Sequence, residues 1–293
     1  MHADELDIDA SLVRRLVAAQ FPQWVSLPIE PVVSSGTDNA MFRLGDELAV
    51  RLPRLPAATK QVEKEHRWLP KLAPLPLEIP TPVALGQPSD AYPWQWSVYR
   101  WLDGESATTG RIEDPRAAVL AIAEFIAALR RIDPAGGPTP GRHNFYRGVP
   151  LIQRDRYMRA AITSLEGEVD VAAVSAAWET ALRAPQWEGL PTWIHGDLAP
   201  GNLLVRNGRV SGVIDFGGLA IGDPACDLMM AWNFMTAETR GVFKDAVKAN
   251  ESAWARGRGW ALSMSVIALP YYLQTNPVIV ENSRRTIAAI LSA

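Results

Sequence analysis

The sequence predicts an α+β fold in two parts, a strand-rich first third and a mainly helical remainder. Short β-type runs (Ile29 to Val33, Ala40 to Leu44, Glu47 to Leu52) crowd the first third, whereas helical periodicity recurs from Asp114 onward. At 293 residues the chain is long for one hydrophobic core, so two domains are expected. Charge divides the same way: residues 1–99 hold 12 acids and 9 bases, and residues 100–293 hold 20 of each.

Asp9 caps a helix running to about Ala19, with Leu12, Val13, Leu16 and Val17 on one face. The strands at 40–44 and 47–52 turn at Gly45-Asp46. Between the first two strands lies Ser34-Ser-Gly-Thr-Asp-Asn39, whose backbone amides and hydroxyls, Ser35 and Thr37 among them, can meet phosphate oxygens. An ordinary hairpin loop has the same composition. A helix follows from about Ala57 to Leu72, with Val62, Trp68, Leu69 and Leu72 as its apolar contacts. Ile79-Pro-Thr-Pro reads as extended, since residues before proline avoid the helix, and Trp96 to Leu102 reads as a strand ending at Asp103-Gly104.

Past this point helices dominate. Asp114-Pro115 opens one to about Arg131; Asp133 to Gly141 is too rich in proline and glycine to be anything but loop; Asp170 to Leu182 is helical again. Asp223-Pro224 opens another, and three segments complete the chain: Ala237 to Ala249, Ser252 to Leu269, and Val278 onward. Their aromatics (Trp232, Phe234, Trp254, Trp260, Tyr271, Tyr272) are expected chiefly in the core.

A net charge of −3 gives no reason to expect nucleic acid or an anionic membrane as partner. Gly259 to Val280 is uncharged and long enough to span a bilayer, but Pro270, Pro277 and Gln274 to Asn276 make a helix, a turn and a second helix the better reading. Cys226 is the only cysteine, so no intramolecular disulfide can form. The acidic N-terminus lacks the basic start and apolar core of a signal peptide. A cytoplasmic location is expected.

The chemistry concentrates between Trp193 and Gly217. An apolar strand end delivers His195, Asp197 and Asn202 on a short loop. Asn207-Gly208 between two apolar runs is a strong hairpin signal, and the hairpin returns Asp215 beside that loop. Singly these residues are a turn aspartate, a capping asparagine and a strand-end aspartate. Together, two carboxylates and an amide suit one hydroxyl-activating base and one or two Mg²⁺ ions, hard cations that take oxygen ligands.

His-Gly-Asp-x-x-x-x-Asn followed by Ile-Asp-Phe-Gly resembles the aminoglycoside phosphotransferase family, in which His-Gly-Asp stands where protein kinases have His-Arg-Asp. The resemblance implies a protein-kinase-like two-lobe fold: a nucleotide-binding lobe at 1–99, a linker at 100–104 and a helical lobe at 105–293. It implies Asp197 as catalytic base, Asn202 and Asp215 as Mg²⁺ ligands, and His195 and Asp227 as braces of the loop. Arg51 stands at the position of the kinase phosphate-binding lysine. Arg and Lys are not equivalent there, and this is the clearest departure from the pattern. A glutamate of the next helix, Glu65 with Glu63 in reserve, would pair with it. Backbone groups from Arg100 to Leu102 would bond the purine, with Tyr99 at the back of its pocket.

The implied reaction moves the γ-phosphoryl of ATP or GTP to a hydroxyl of a small molecule. The family suggests an antibiotic of aminoglycoside or macrolide type as acceptor. The even charge balance after residue 99 shows no surplus of carboxylates for a polycation, so a metabolite alcohol of the choline, homoserine or sugar type stays open. A nucleotide-binding protein without catalysis is a further alternative. A metal-dependent hydrolase is disfavoured, because such sites recruit several histidines and only His195 lies in the cluster. The sequence leaves the oligomeric state unknown.

Overall fold

The computed structural model describes residues 6–32 and 38–292. They fall into two compact units: the first runs to Asp103 without Leu75–Leu77, and the second takes Leu75–Leu77 and everything from Gly104.

The first unit opens with α1 (Ala10–Gln20), whose cap Asp9 accepts from the Leu12 N–H at 2.7 Å. Its stripe of Leu12, Val13, Leu16 and Val17 is buried, as the 3–4 spacing requires. It packs with strands β1 (Ile29–Pro31), β2 (Asn39–Leu44) and β3 (Leu48–Pro53). Gly45, at φ +60°, makes the β2–β3 turn. After α2 (Thr59–Leu72) come β4 (Pro82–Gly86) and β5 (Trp96–Arg100), and the antiparallel sheet has the order β1-β2-β3-β5-β4. Register places Ala49 opposite Tyr99 and Arg51 opposite Ser97. The strand expected to reach Leu102 stops at Arg100, and α2 starts at Thr59 behind a 3₁₀ turn, Pro56–Ala58.

The second unit contains β6 (Glu105–Ser106), α3 (Pro115–Arg131), α4 (Asp155–Ser164), α5 (Val171–Leu182) and β7 (Thr192–Ile194). It continues through β8 (Leu203–Arg206), β9 (Arg209–Val213), β10 (Ala220–Gly222), α6 (Met230–Asn233), α7 (Ala237–Ala246), α8 (Glu251–Tyr272) and α9 (Pro277–Leu291). Two small antiparallel sheets, β6-β8-β9 and β10-β7, hold the predicted loop between them in sequence.

Asp114 and Asp170 cap α3 and α5 through their side chains, as expected. Several elements depart from expectation. Helix α4, absent from the sequence reading, buries Met158, Ala161 and Ile162. The segment opened by Asp223 is first a 3₁₀ turn, Pro224–Met229, and only then α6. Helix α8 runs through Pro270 to Tyr272, giving up the one ladder bond that a residue with an N–H would make there. Trp232 and Trp260 are buried as expected, whereas Tyr271 is exposed. Among the described residues no helix is long and apolar enough to cross a membrane.

Candidate active site

Strand β7 ends at Ile194, paired with Ala220 of β10, and releases the chain into His195-Gly-Asp197. Gly196 has φ +79°, and a Cβ there would lie 2.5 Å from the Gly218 carbonyl oxygen, so this position admits only glycine without displacement. The two backbone N–H groups exposed by this bend are taken by one carboxylate. His195 and Gly196 donate to Asp227 Oδ2 and Oδ1 at 2.9 and 2.8 Å.

Asp227 is fully buried, which pushes its pKa up; the two N–H donors and the positive charge of Arg130 work the other way. The turn that carries it is capped by Asp223, itself in a buried pair with Arg256 of α8, Nε to Oδ2 2.7 Å.

The buried His195 ring joins the two halves of the motif. Its Nδ1 accepts from the Asp197 N–H at 3.2 Å, which assigns the proton to Nε2, 3.1 Å from the Ile214 carbonyl to which it donates. Phe216 packs edge-on against it, centroids 4.6 Å apart. Burial holds the imidazole pKa below its ordinary 6.5. A second proton would have to sit on Nδ1, against an N–H.

The sign of the resulting pH dependence follows. A group whose folded pKa is depressed gives stability above its unfolded pKa and loses it as pH falls through the window below. Stability should therefore fall with decreasing pH below 6.5, by at most about 1.4 kcal/mol per pH unit from this residue. The buried shift of His66 has the same direction. The difference in Tm between wild type and His195→Gln from pH 7.5 to 5 isolates the His195 part; a constant difference would contradict it.

Asp197 points its side chain outward, with 27% of it exposed, while its backbone is tied down: its carbonyl accepts from Asn202 Nδ2 at 2.8 Å. With Nδ2 so committed, Asn202 turns its amide oxygen the other way. The Ile214 N–H donates to the Asn202 carbonyl at 2.9 Å, extending the β8–β9 ladder by one step and setting Asp215 beside Asn202. The β8–β9 turn is Asn207-Gly208, both at positive φ, the backbone that an Asn-Gly hairpin requires. Asp215 is itself at φ +61° and accepts from the Gly217 N–H at 3.3 Å.

The donor set fits a hard divalent cation. An amide oxygen and a carboxylate, both partly exposed, come from adjacent chain segments, and oxygen donors of this kind suit Mg²⁺.

Sequence reasoning missed several residues here. Arg147 Nη2 lies 3.2 Å from Asp197 Oδ1. Asn233 Nδ2 donates to the Leu198 carbonyl at 2.9 Å, and buried Asn144 donates to the carbonyls of Arg147 and Gly218. No motif marks them, because the contacts that bring them to the loop, Asn233 to Leu198 and Asn144 to Gly218, span 35 and 74 residues.

In the first unit a second cluster forms. Arg51 Nη1 meets Glu65 Oε1 and Oε2 at 2.6 and 2.7 Å, and Nη2 donates to Gln61 at 3.1 Å. Asn39 Oδ1, with its amide turned, also accepts from Arg51 Nη2 at 2.9 Å. The Tyr99 hydroxyl donates to Glu65 Oε2, and burial beside that carboxylate raises the phenol pKa. Glu63 is exposed on the opposite face of α2. The Arg100 and Trp101 N–H groups are committed to the carbonyls of Thr81 and Glu47. Ser35 and Thr37 lie outside the described residues.

An antiparallel sheet whose strand cation is paired to a helix glutamate, followed by a helical unit with this looped His-Gly-Asp, defines a chain of the protein-kinase-like class. More particularly, residues 31–260 match the phosphotransferase enzyme family, APH, and the chain belongs to that family.

Among solved structures it is similar to the GDP and kanamycin complex of APH(2")-IIIa, with 19% identity over 94% of this chain and 97% of that one and a TM-score of 0.72. It is also similar to the macrolide 2'-phosphotransferase MphH from Brachybacterium faecium, with 22% identity over 96% and 97% and a TM-score of 0.63. The streptomycin-ATP-APH(2")-IIa ternary complex matches at 18% identity, 98% and 97% coverage and a TM-score of 0.61. Likeness at these identities carries the fold. A shorter match, 35% identical over 72 residues, is to the uncharacterized protein YcbJ of Bacillus subtilis (strain 168), and spans about a quarter of that relative, 24%.

Proposed function

We propose that this chain is a Mg²⁺-dependent kinase moving the γ-phosphoryl of ATP or GTP to a hydroxyl of a small molecule. The observation that carries the reading is the Asp197 carboxylate. It is held outward on a loop braced by neutral His195 and buried Asp227; the same loop carries Asn202, whose carbonyl takes the Ile214 N–H one residue before Asp215.

Phosphoryl transfer needs little covalent help from the protein; positioning and charge stabilisation supply most of the rate. Asp197 orients the acceptor hydroxyl and accepts its proton. Asn202 and Asp215 would hold Mg²⁺, which when bound offsets charge on the phosphates.

The division of labour follows the chain. Residues 1–99 bind nucleotide, 100–104 connect, and 105–293 carry the catalytic loop and acceptor site. Glu65 orients Arg51 as the cation for the phosphates, with Ser35 and Thr37 of the preceding loop as further phosphate contacts. With the Arg100 N–H on Thr81, the purine edge falls to the Arg100 carbonyl and the Leu102 backbone. Tyr99, 4% exposed, closes the back of the pocket.

For the acceptor, the family reading is an antibiotic of aminoglycoside or macrolide type. The guanidinium of Arg147 at Asp197 favours the other reading, a metabolite alcohol.

The test is a product assay with ATP and GTP across aminoglycosides, macrolides and metabolite alcohols. Magnesium-dependent nucleoside diphosphate release with a phosphorylated acceptor is expected. The bulk of Tyr99 should favour GTP by roughly tenfold in kcat/KM, about 1.4 kcal/mol. Tyr99→Phe should keep that ratio and Tyr99→Ala should lose it. Equal kcat/KM for the two nucleotides in wild type and in Tyr99→Ala would sink the Tyr99 role.

A further inference from the structure

We infer that Arg147 sets the chemical class of the acceptor: an uncharged or anionic alcohol, and not a polyamine. The inference rests on the phosphotransferase reading, with Asp197 as base. The Arg147 guanidinium stands 3.2 Å from Asp197 Oδ1, with 14% of the side chain exposed.

A specific loop delivers it there. After the short turn Arg142–Asn144, both Phe145 and Tyr146 take left-handed backbone, φ 54° and 57°, and Gly148 follows at 86°. Non-glycine residues hold such a conformation only where their surroundings over-determine it. Here the surroundings are visible. The Asn144 amide is fully buried; its Oδ1 accepts from the Gly141 N–H at 2.9 Å and its Nδ2 donates to the Arg147 carbonyl at 2.9 Å and the Gly218 carbonyl at 3.3 Å. One side chain thus ties the backbone of Arg147 to the turn that follows Asp215.

A second guanidinium backs the first. Buried Arg154 donates from Nη1 to the Phe145 carbonyl at 2.9 Å and from Nε to Ser263 at 2.7 Å. The Arg147 charge helps lower its pKa, after burial, to about 10, so both cations belong to one local field. The three carboxylates of the motif itself are already engaged. Asp197 faces Arg147, Asp215 is assigned to the cation, and Asp227 is buried on two backbone N–H groups.

An ammonium brought to the base therefore meets a guanidinium, with the three carboxylates of the motif already engaged. A carboxylate or hydroxyl beside the reacting group meets a donor fork. The exposed ring of Phe145, its centroid 5.6 Å from the Arg147 guanidinium carbon, adds an apolar face for the acceptor's carbon frame.

The experiment compares wild type with Arg147→Lys, Arg147→Gln and Arg147→Glu on kanamycin as polycation, glucose as neutral probe, and glycerate and gluconate as anions. Each compound is read as acceptor and as inhibitor of the slow hydrolysis of nucleotide by water. The wild-type ratio of anion to kanamycin, in kcat/KM or inverse inhibition constant, should exceed about ten. Lysine should preserve it, glutamine should lower it about tenfold, and glutamate should lower it by about 30- to 100-fold. A purely structural residue would depress all probes alike and leave the ratio fixed, and that result overturns the inference. So does a wild type that prefers kanamycin. Absence of all Mg²⁺-dependent nucleotide turnover in wild type refutes the underlying phosphotransferase reading instead, and wild type alone reveals it.

Discussion

Asp197→Asn should lower phosphoryl transfer by about 10³-fold, about 4 kcal/mol of barrier, while the protein folds and binds nucleotide as before. The separation is clean because the loop does not depend on this carboxylate. Its shape rests on the Asp197 N–H to His195 Nδ1, the Asp197 carbonyl to Asn202 Nδ2, and Asp227 under His195 and Gly196, none of which uses the Asp197 side chain. Asparagine also keeps an oxygen for Arg147, so that partly exposed cation retains a hydrogen-bond partner. What is lost is the ability to take a proton. Asp197→Glu keeps the base but moves it by a methylene, and a displacement near 1 Å costs on the order of 10²-fold. The order wild type, then Glu, then Asn should appear in kcat, with nucleotide Kd nearly constant by calorimetry. A folded Asp197→Asn protein within tenfold of wild-type turnover would remove Asp197 from the role of base.

The His195 to Asn202 loop was legible in the sequence because its geometry is local. A hairpin turned by Asn207-Gly208 can only return Asp215 to the neighbourhood of Asn202, and one backbone bond from Ile214 completes the step. Asp227 was pointed to only by the family resemblance; its local sequence marks a turn start at Asp223-Pro224, and the structure supplies its contacts with His195 and Gly196. Arg147 was not. Its approach to Asp197 depends on how a 3₁₀ turn docks across about fifty residues of chain, and no periodicity encodes that. Strand β10 escaped notice because its pairing with β7 joins two three-residue segments distant in sequence. Helix α4 is obscured in the sequence because Arg154, Asp155, Arg156 and Arg159 break up its apolar run, although Met158, Ala161, Ile162 and Leu165 keep helical spacing. Arg51 shows the opposite situation: the sequence located it, and the structure supplies the partners that orient its guanidinium.

The pairing of Arg51 also decides between two neighbouring glutamates, and the outcome should be large. Val62, Glu65, Leu69 and Leu72 share one stripe of α2, and all are buried; Glu63 is turned to solvent. Glu65 is 1% exposed and holds the Arg51 guanidinium through two oxygens, with the Tyr99 hydroxyl on one of them. Glu65→Ala strands a cation whose side chain is 11% exposed, and leaves the Tyr99 donor buried without its acceptor. Removing one member of a buried pair costs about 3–5 kcal/mol, because the survivor stays desolvated. Glu63→Ala removes an exposed side chain and should stay within about 0.5 kcal/mol. Calorimetry should therefore show Tm falling by on the order of 10 °C for Glu65→Ala and hardly moving for Glu63→Ala. Glu65→Gln separates shape from charge. It keeps the volume and one acceptor oxygen, so Arg51 loses its counterion but not all of its hydrogen bonds, and an intermediate Tm is expected. If Glu65→Ala unfolds no earlier than Glu63→Ala, the pair is not what holds α2 against β3 and β5, and its use to orient Arg51 toward phosphate falls with it.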